Sequence, residues 1–514
     1  MRYLKWTMLA LLVVFVAGTG PAAAQQKVLR VAQDANAPGL DPHMGSQFVL
    51  REISAHVFEG LVTIGEDYSV IPQLAESWTV SNDSLQYTFK LRSGVKFHNG
   101  KTMTADDVKA SIDRFVQYSV RRGDVAAVQT VTVVDPLTVR ITLKEAEGSF
   151  LGAMANPVSL LAIMPQEIVR EAKDTLQPPN LIGTGPFRLA EWERDQRVIL
   201  RRFADYTRDR RMPQSGLGGD REALVDEVQM ISMLESATRF AALERGDVDY
   251  AITLAPSSYE RLQTSATVQP VIIKPYTQIT VQLNANQPPF DNVKARQAVS
   301  RGLDMEAIMR AVTGNQAAFY RLQPSLFFPE QKIWHNTEGS KVYNGKNVEL
   351  AKQLLRESGY DGKPVILLTN KDYEWAFRAA LAAKPQLEAI GFKVEFQVRD
   401  WPGMVAQQKE SKFNMATNGI STRPEPTGFD YLIRCRASWE AYGYCDPEMD
   451  KWLHAGVKAG DVKERAHAYA MAQRQFYETV PFVKIGDLFS LDGAGKSLQG
   501  YKVFFLRRFW NVTK

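Results

Sequence analysis

The chain has 514 residues, 45% hydrophobic and 23% charged, the balance of a soluble globular protein with room for about three domains. Its formal charge of +5 drops to +3 without Arg2 and Lys5, and no long basic run occurs, which argues against nucleic acid as a partner. Only two cysteines are present, Cys435 and Cys445 in CRASWEAYGYC. That is too few ligands for a metal site, but enough for one small-loop disulfide in an oxidising compartment.

Residues 1–24 read as a secretory signal. Arg2 and Lys5 form a basic start, Met8 to Ala17 is apolar, and Ala22-Ala23-Ala24 satisfies the small-residue rule for cleavage before Gln25. The apolar run is short for a bilayer span and no second run of about 20 residues follows. A free, exported protein is expected. VLRVAQ then predicts a short strand ending at the turn-rich NAPGLDPH. From Gln47 to Leu61 a helix is expected, with Val49, Ile53, Val57 and Leu61 on one face. Leu85, Tyr87, Phe89 and Leu91 alternate as in a half-buried strand. Val131 and Val133, Asp135-Pro136, then Val139, Ile141 and Leu143 predict a hairpin. A mainly β unit therefore runs from about Val57 to Gln177.

The pattern changes after Pro178-Pro179. GTGPFRLAEWERDQRVILRR predicts two strands, and RMPQSGLGGD an exposed loop. VDEVQMISM, ESATRFAALERG and DVDYAITL predict strand, helix and strand, a βαβ unit with parallel pairing. A second α/β region begins near Ile273. It contains TQITVQLN as a strand, VKARQAVSRGLDMEAIMRAV as one or two helices, and VELAKQLLRESGY as an amphipathic helix stopping at Gly359. PVILLTN, a helix interrupted near Pro385, and FKVEFQVRD give another βαβ unit. WPGMVAQQKES and FNMATNGIST repeat helix and strand. Helices follow at Pro447 to Lys458 and Val462 to Glu478, and the chain is expected to end in short strand-like pieces. Two α/β lobes, one with an inserted β unit, suggest a cleft between them.

FHNGKTMTADDVKAS brings His98, Asp106 and Asp107 together, as a metal or catalytic site would. Each residue also has a local task. Asn99-Gly100 makes a tight turn, Thr104 caps a helix that continues through Val108, Ile112 and Phe115, and the two aspartates sit at its positive end. The structural reading is the simpler one. HExxH, GxSxG and P-loop motifs are missing, and Gly216-Leu217-Gly218-Gly219 is not a dinucleotide fingerprint. Glu425 and Asp430 read as loop carboxylates rather than a catalytic pair. No catalytic residue, metal or cofactor is expected.

PQLAESWTVSNDSLQYTFKLRSGVKFHNGKTMTADDVKASIDRF resembles the signature region of family 5 solute-binding proteins, the dipeptide, oligopeptide and nickel receptors of bacterial ABC importers. The likeness continues, in order, through LDPH at Leu40, VFEGLV at Val57, IGTGPFRL at Ile182, ERGDVDYA at Glu244, PPFDNVKARQAVSRGLD at Pro288, AKQLLRESGYDG at Ala351 and GYCDPEMDKWL at Gly443. The resemblance implies an α/β, two-lobed periplasmic binding protein (type II, cluster C-like) with an extra inserted mainly-β subdomain. One lobe would comprise residues 25–56, 178–272 and 486–514, the insert residues 57–177, and the other lobe residues 273–485. It further implies a monomeric periplasmic receptor that closes around a peptide or other small organic solute and docks on permease subunits in the inner membrane, doing no chemistry. A secreted hydrolase, or a receptor holding nickel or haem through His43 and Met44, are the alternatives.

The resemblance also implies that the cleft is lined by the loop after the first strand, with Met44 and Gln47, and by NGISTRPEPTGFD, with Ser421, Thr422, Arg423 and Glu425. Asn284 and Trp401 are further candidates, and Phe429 and Trp439 could add apolar walls. Peptide-binding members usually carry Gly-Trp and an Asp in the second loop. Here Ile420 and Arg423 stand instead, which favours an anionic solute. The competing role for Arg423 is a salt bridge to Glu425.

Overall fold

The structure, a computed structural model, describes residues 26–158, 160–421, 423, 425–435 and 442–514, with the side chains of residues 428–431 excepted. The expected signal at residues 1–24, Thr422, Trp439 and the Phe429 side chain lie outside the described residues.

One large sheet runs through both lobes. Its order is Val394–Arg399, Val365–Asn370, Met415–Ser421, Val268–Leu283, Phe482–Gly495, Tyr250–Leu254, Val28–Gln33, Glu227–Ser232, Arg197–Arg202 and Phe187–Glu193, with Tyr320–Arg321 also paired to Phe482–Gly495. The first strand, Val28–Gln33, lies between Glu227–Ser232 and Tyr250–Leu254 and is parallel to both. In the second lobe Val365–Asn370 is likewise parallel to Val394–Arg399 and Met415–Ser421. The second predicted βαβ unit thus forms with its strands paired, while in the first the two strands run parallel but Val28–Gln33 lies between them.

Two long antiparallel strands, Val268–Leu283 and Phe482–Gly495, join the lobes. Their ladder runs from Val268 opposite Gly495 to Ile273 opposite Ser490, breaks, and resumes at Thr277 opposite Leu488. On the near side of the break the neighbour is Tyr250–Leu254; on the far side it is Met415–Ser421. The break takes Pro275 and Tyr276 out of the ladder, so both are available to the space between the lobes.

The insert has a four-stranded antiparallel sheet, Ala75–Val80, Gln86–Leu91, Thr138–Leu143 and Val128–Asp135, packed by the helix Ala105–Tyr118. Tyr87, Phe89 and Leu91 point inward, as the alternation predicts. Phe89, Phe115 and Ile141 share one continuous core with Val31, Tyr250 and Trp510 of the first lobe. The second lobe has cores of its own, around Val299 and Leu367 and around Phe413 and Phe476.

The stretch around His98 is structural. His98 donates from Nε2 to the Gly185 carbonyl (3.0 Å) and accepts at Nδ1 from the Gly183 N–H (3.2 Å). Asp107 closes a capping box with Thr104 and also accepts from Lys101 (2.6 Å) and the Gln166 N–H (2.8 Å). Several expectations need correction. The first helix is Phe48–Val57 and stops short of Leu61, because the Val57 carbonyl accepts from the Gly185 N–H instead (3.0 Å). Pro385 does not interrupt its helix, which runs Glu374–Ile390; the proline cannot donate to the carbonyl one turn back, which belongs to the exposed residue Leu381. The glycine-rich loop is packed rather than exposed: Leu217 is in the core and Arg508 donates to the Gly216 carbonyl. Finally, the chain end contains one 14-residue strand, Phe482–Gly495, instead of short pieces.

Candidate functional site

A cavity of about 390 Å³ lies between the lobes. Phe48, Arg51 and Phe505 face it from the first lobe, Pro275, Tyr276 and Thr277 from the break in the connecting strand, and the second lobe supplies the rest. The second-lobe wall lies just beyond the carboxyl ends of its parallel strands. Tyr373 and Trp375 follow Val365–Asn370, Trp401 follows Val394–Arg399, and Ser421 ends Met415–Ser421. This crevice is where open α/β sheets characteristically bind ligands.

Local chemistry fixes the wall. Asn370 Oδ1 accepts from the Tyr373 N–H (2.9 Å), and Asp372 Oδ2 accepts from the Trp401 N–H (2.5 Å). Asp400 caps the helix Trp401–Lys409 through the Gly403 N–H (3.0 Å), and Trp401, Val405 and Gln408 then share one helix face. Tyr373 stacks on Trp375 (5.4 Å between centroids) and meets Trp401 edge-on (5.2 Å). A side chain at position 419 would lie 2.8 Å from both the Trp375 ring and the Thr277 hydroxyl, so Gly419 is what lets the indole rest against the strand. Ile420, on the opposite face, is buried in the second-lobe core. The aromatic surface in this part of the cavity therefore comes from Trp375, some 45 positions earlier in the sequence.

The polar groups are few and mostly donate. Gln408 Nε2 donates to the Tyr442 hydroxyl (3.0 Å), and that hydroxyl and Asn418 Nδ2 (3.4 Å) both donate to Gln282 Oε1. The Gln282 amide nitrogen is left with no partner among the described residues. Arg51 is the one ionised side chain among the described lining residues. Its Nε donates to the Ser46 carbonyl (2.7 Å), while its terminal nitrogens have no hydrogen-bond partner among the described residues. Burial, then the charges of Arg423 and Arg121, hold its pKa below the usual guanidinium range, although it remains a cation at neutral pH. A second pocket of about 250 Å³ adjoins this group. Arg121, Asp124, Glu147 and Asn156 line it from the insert, and Arg423, Glu425 and Arg434 from the second lobe.

The candidate residues separate accordingly. Trp401 and Ser421 are in the cavity wall, and Arg423 and Glu425 are in the adjoining pocket. Met44 and Gln47 line neither, although the loop they occupy leads into the helix that carries Phe48 and Arg51. Asn284 is a correction: it is fully buried and its amide donates to the Phe413 carbonyl (2.7 Å) and the Ser411 hydroxyl (3.0 Å), tying down a strand end. Glu425 pairs with Arg465, not with Arg423. His43 is buried, hydrogen-bonds to the Ala162 carbonyl (3.1 Å) and meets Phe115 edge-on. Cys435 and Cys445 form the expected disulfide. The sequence reading missed Arg51, Gln282, Trp375 and Tyr442.

The model for bacterial extracellular solute-binding proteins, family 5 (Middle), matches residues 69–439. The chain belongs to this family. It is 27% identical over 502 residues to the glutathione-binding protein GsiB of Salmonella typhi, covering 94% of this chain and 93% of that protein. Among solved structures, the substrate-binding protein CtaP from Listeria monocytogenes superposes with a TM-score of 0.82 at 22% identity, covering 95% of this chain and 99% of that one. The binding protein AgaA from A.tumefacien R10, in complex with agropinic acid, gives 0.75 at 23% identity, covering 94% and 96%. As a family 5 member the chain has the two-lobed receptor fold. No helix among its described residues is long and apolar enough to cross a membrane.

Proposed function

We propose that this family 5 protein is the periplasmic receptor of an ABC importer, exported by cleavage before Gln25 and acting as a monomer. It takes a small organic anion, peptide-like or otherwise, and hands it to the permease unchanged. Residues 25–56, 178–272 and 486–514 serve as one lobe, residues 273–485 as the other, and residues 57–177 as the insert. The lobes move about the two connecting strands. One observation carries the reading: the cavity between the lobes holds a guanidinium, Arg51, whose terminal nitrogens have no hydrogen-bond partner among the described residues and whose pKa is lowered by the charges of two more arginines. A half-buried cation in that position is stabilised by an anionic guest. Hydrolysis finds no support, since the described wall offers no nucleophile–base pair.

Thermal-shift screening against peptides, opines, organic acids, sugars and nickel tests this. A cognate anion raises the melting temperature in proportion to the logarithm of its concentration and is recovered intact. Arg423→Ala should weaken that anion by about 1–3 kcal/mol, the size of a charge-assisted contact. Unchanged affinity would make Arg423 a bystander, and chemical conversion of the ligand would end the receptor reading.

A further inference from the structure

We infer that the cavity selects organic acids that lack a free amine: carboxylates whose nitrogen is acylated, or absent, and whose body is planar or apolar. The inference rests on the receptor reading and narrows it. Seven of the cavity's sixteen described lining residues are aromatic, and none is Asp, Glu, Lys or His. Arg51 supplies the charge, with Arg423 and Arg121 close enough to lower its pKa further. Gln282 offers its amide nitrogen, because its carbonyl oxygen is already shared by Tyr442 and Asn418. A carboxylate satisfies these donors, and acyl or aryl groups fit against Trp375, Trp401 and Phe48.

Among the described lining residues a free ammonium has no such match. Asp34, Asp372 and Asp492 act through their charge on Tyr373 or Tyr276; none of them lines the cavity, Asp372 already accepts from the Trp401 N–H, and Asp492 is paired with Arg507. Ring faces alone offset the lost hydration of an ammonium poorly, and the charge of Arg51 opposes it.

Isothermal titration of the full mature protein with paired probes tests the inference: N-acetyl-Phe-Leu against Phe-Leu, and N-acetyltryptophan against tryptamine. The acetylated acid should bind at least about tenfold tighter in each pair, and Arg51→Gln should remove most of that advantage. Equal or tighter binding of the free amines overturns the inference, most directly if Asp34→Asn then abolishes it. Failure of both acetylated acids to bind at 1 mM overturns it too. The receptor reading is judged separately, since it stands if any solute of the broader panel binds intact and falls if none does.

Discussion

The lobes meet in two regions of opposite character. Around the cavity, large rings from both sides leave a space, and charge is sparse. At the other meeting place, residues 145–152 of the insert lie directly against residues 425 and 458–465 of the second lobe, with small residues and paired charges. Lys458 pairs with Glu145, Gly148 is packed on the Ala459 carbonyl, and Gly152 on Glu425, itself paired with Arg465. The first region is shaped to be filled by something else, while in the second, beside the adjoining pocket, protein already meets protein. Selection of a solute and docking of the lobes are therefore assigned to different residues, and each should be alterable without the other.

Acid should produce the largest difference between the two sides. His43, His56 and His98 all belong to the first lobe and insert, and burial lowers each to about 4. His56 shows why: Nδ1 donates to the Glu52 carbonyl (2.7 Å) while Nε2 accepts from the Phe509 N–H (3.0 Å), so a second proton would break a bond. Unfolded histidines titrate near 6.5, so between about 6.5 and 4 the unfolded chain binds protons that the folded chain refuses, and stability falls with pH through that window. Glu52 acts oppositely. Burial raises it to about 7, so its folded form retains a proton that the unfolded chain has released above about 4.5. Three histidines outweigh one glutamate, giving a net loss on the order of a few kcal/mol by pH 4. Hydrogen exchange at pH 4.5 should show the first lobe and insert losing protection before the second lobe. Uniform loss would mean that the acid-sensitive groups are not concentrated on one side.

Legibility followed the range of the interactions. The insert, the capping box at Thr104, the parallel pair Val365–Asn370 and Val394–Arg399 and the disulfide depend on neighbours close in sequence, and all could be read. The strand Phe482–Gly495 could not, because Lys484, Asp487 and Asp492 break its apolar pattern; they are buried there only because Lys484 pairs with Asp487 (3.0 Å) and Asp492 with Arg507 (2.8 Å). Arg51 was hidden for a similar reason. On a helix whose apolar stripe is Val49, Ile53 and Val57, an arginine reads as the wet face, and only the second lobe turns that face into a cavity wall. Trp375 and Trp401 left a usable trace: each lies a few residues beyond a predicted parallel strand, at the carboxyl end where the crevice must form.

The docking region yields the sharpest comparison, through two substitutions distant in sequence and one contact apart in space. In Gly148→Val a side chain meets the Ala459 carbonyl, a backbone group that cannot swing aside. The overpacking should cost about 1–3 kcal/mol whenever the lobes come together. Every solute should then bind more weakly by a similar factor, with the ratio between acetylated and free-amine probes unchanged, whereas Arg51→Gln should change that ratio. In Lys458→Gln an ion pair is lost, but Glu145 is largely exposed and water screens the pair, so affinity should move little and the small effect should fade with added salt. Titration of both variants with both members of a probe pair decides the matter. If Lys458→Gln proves as damaging as Gly148→Val, the lobes are held by charge at this contact and not by backbone fit. If Gly148→Val changes the probe ratio, then the docking region is reshaping the cavity, and selection and docking are not separate after all.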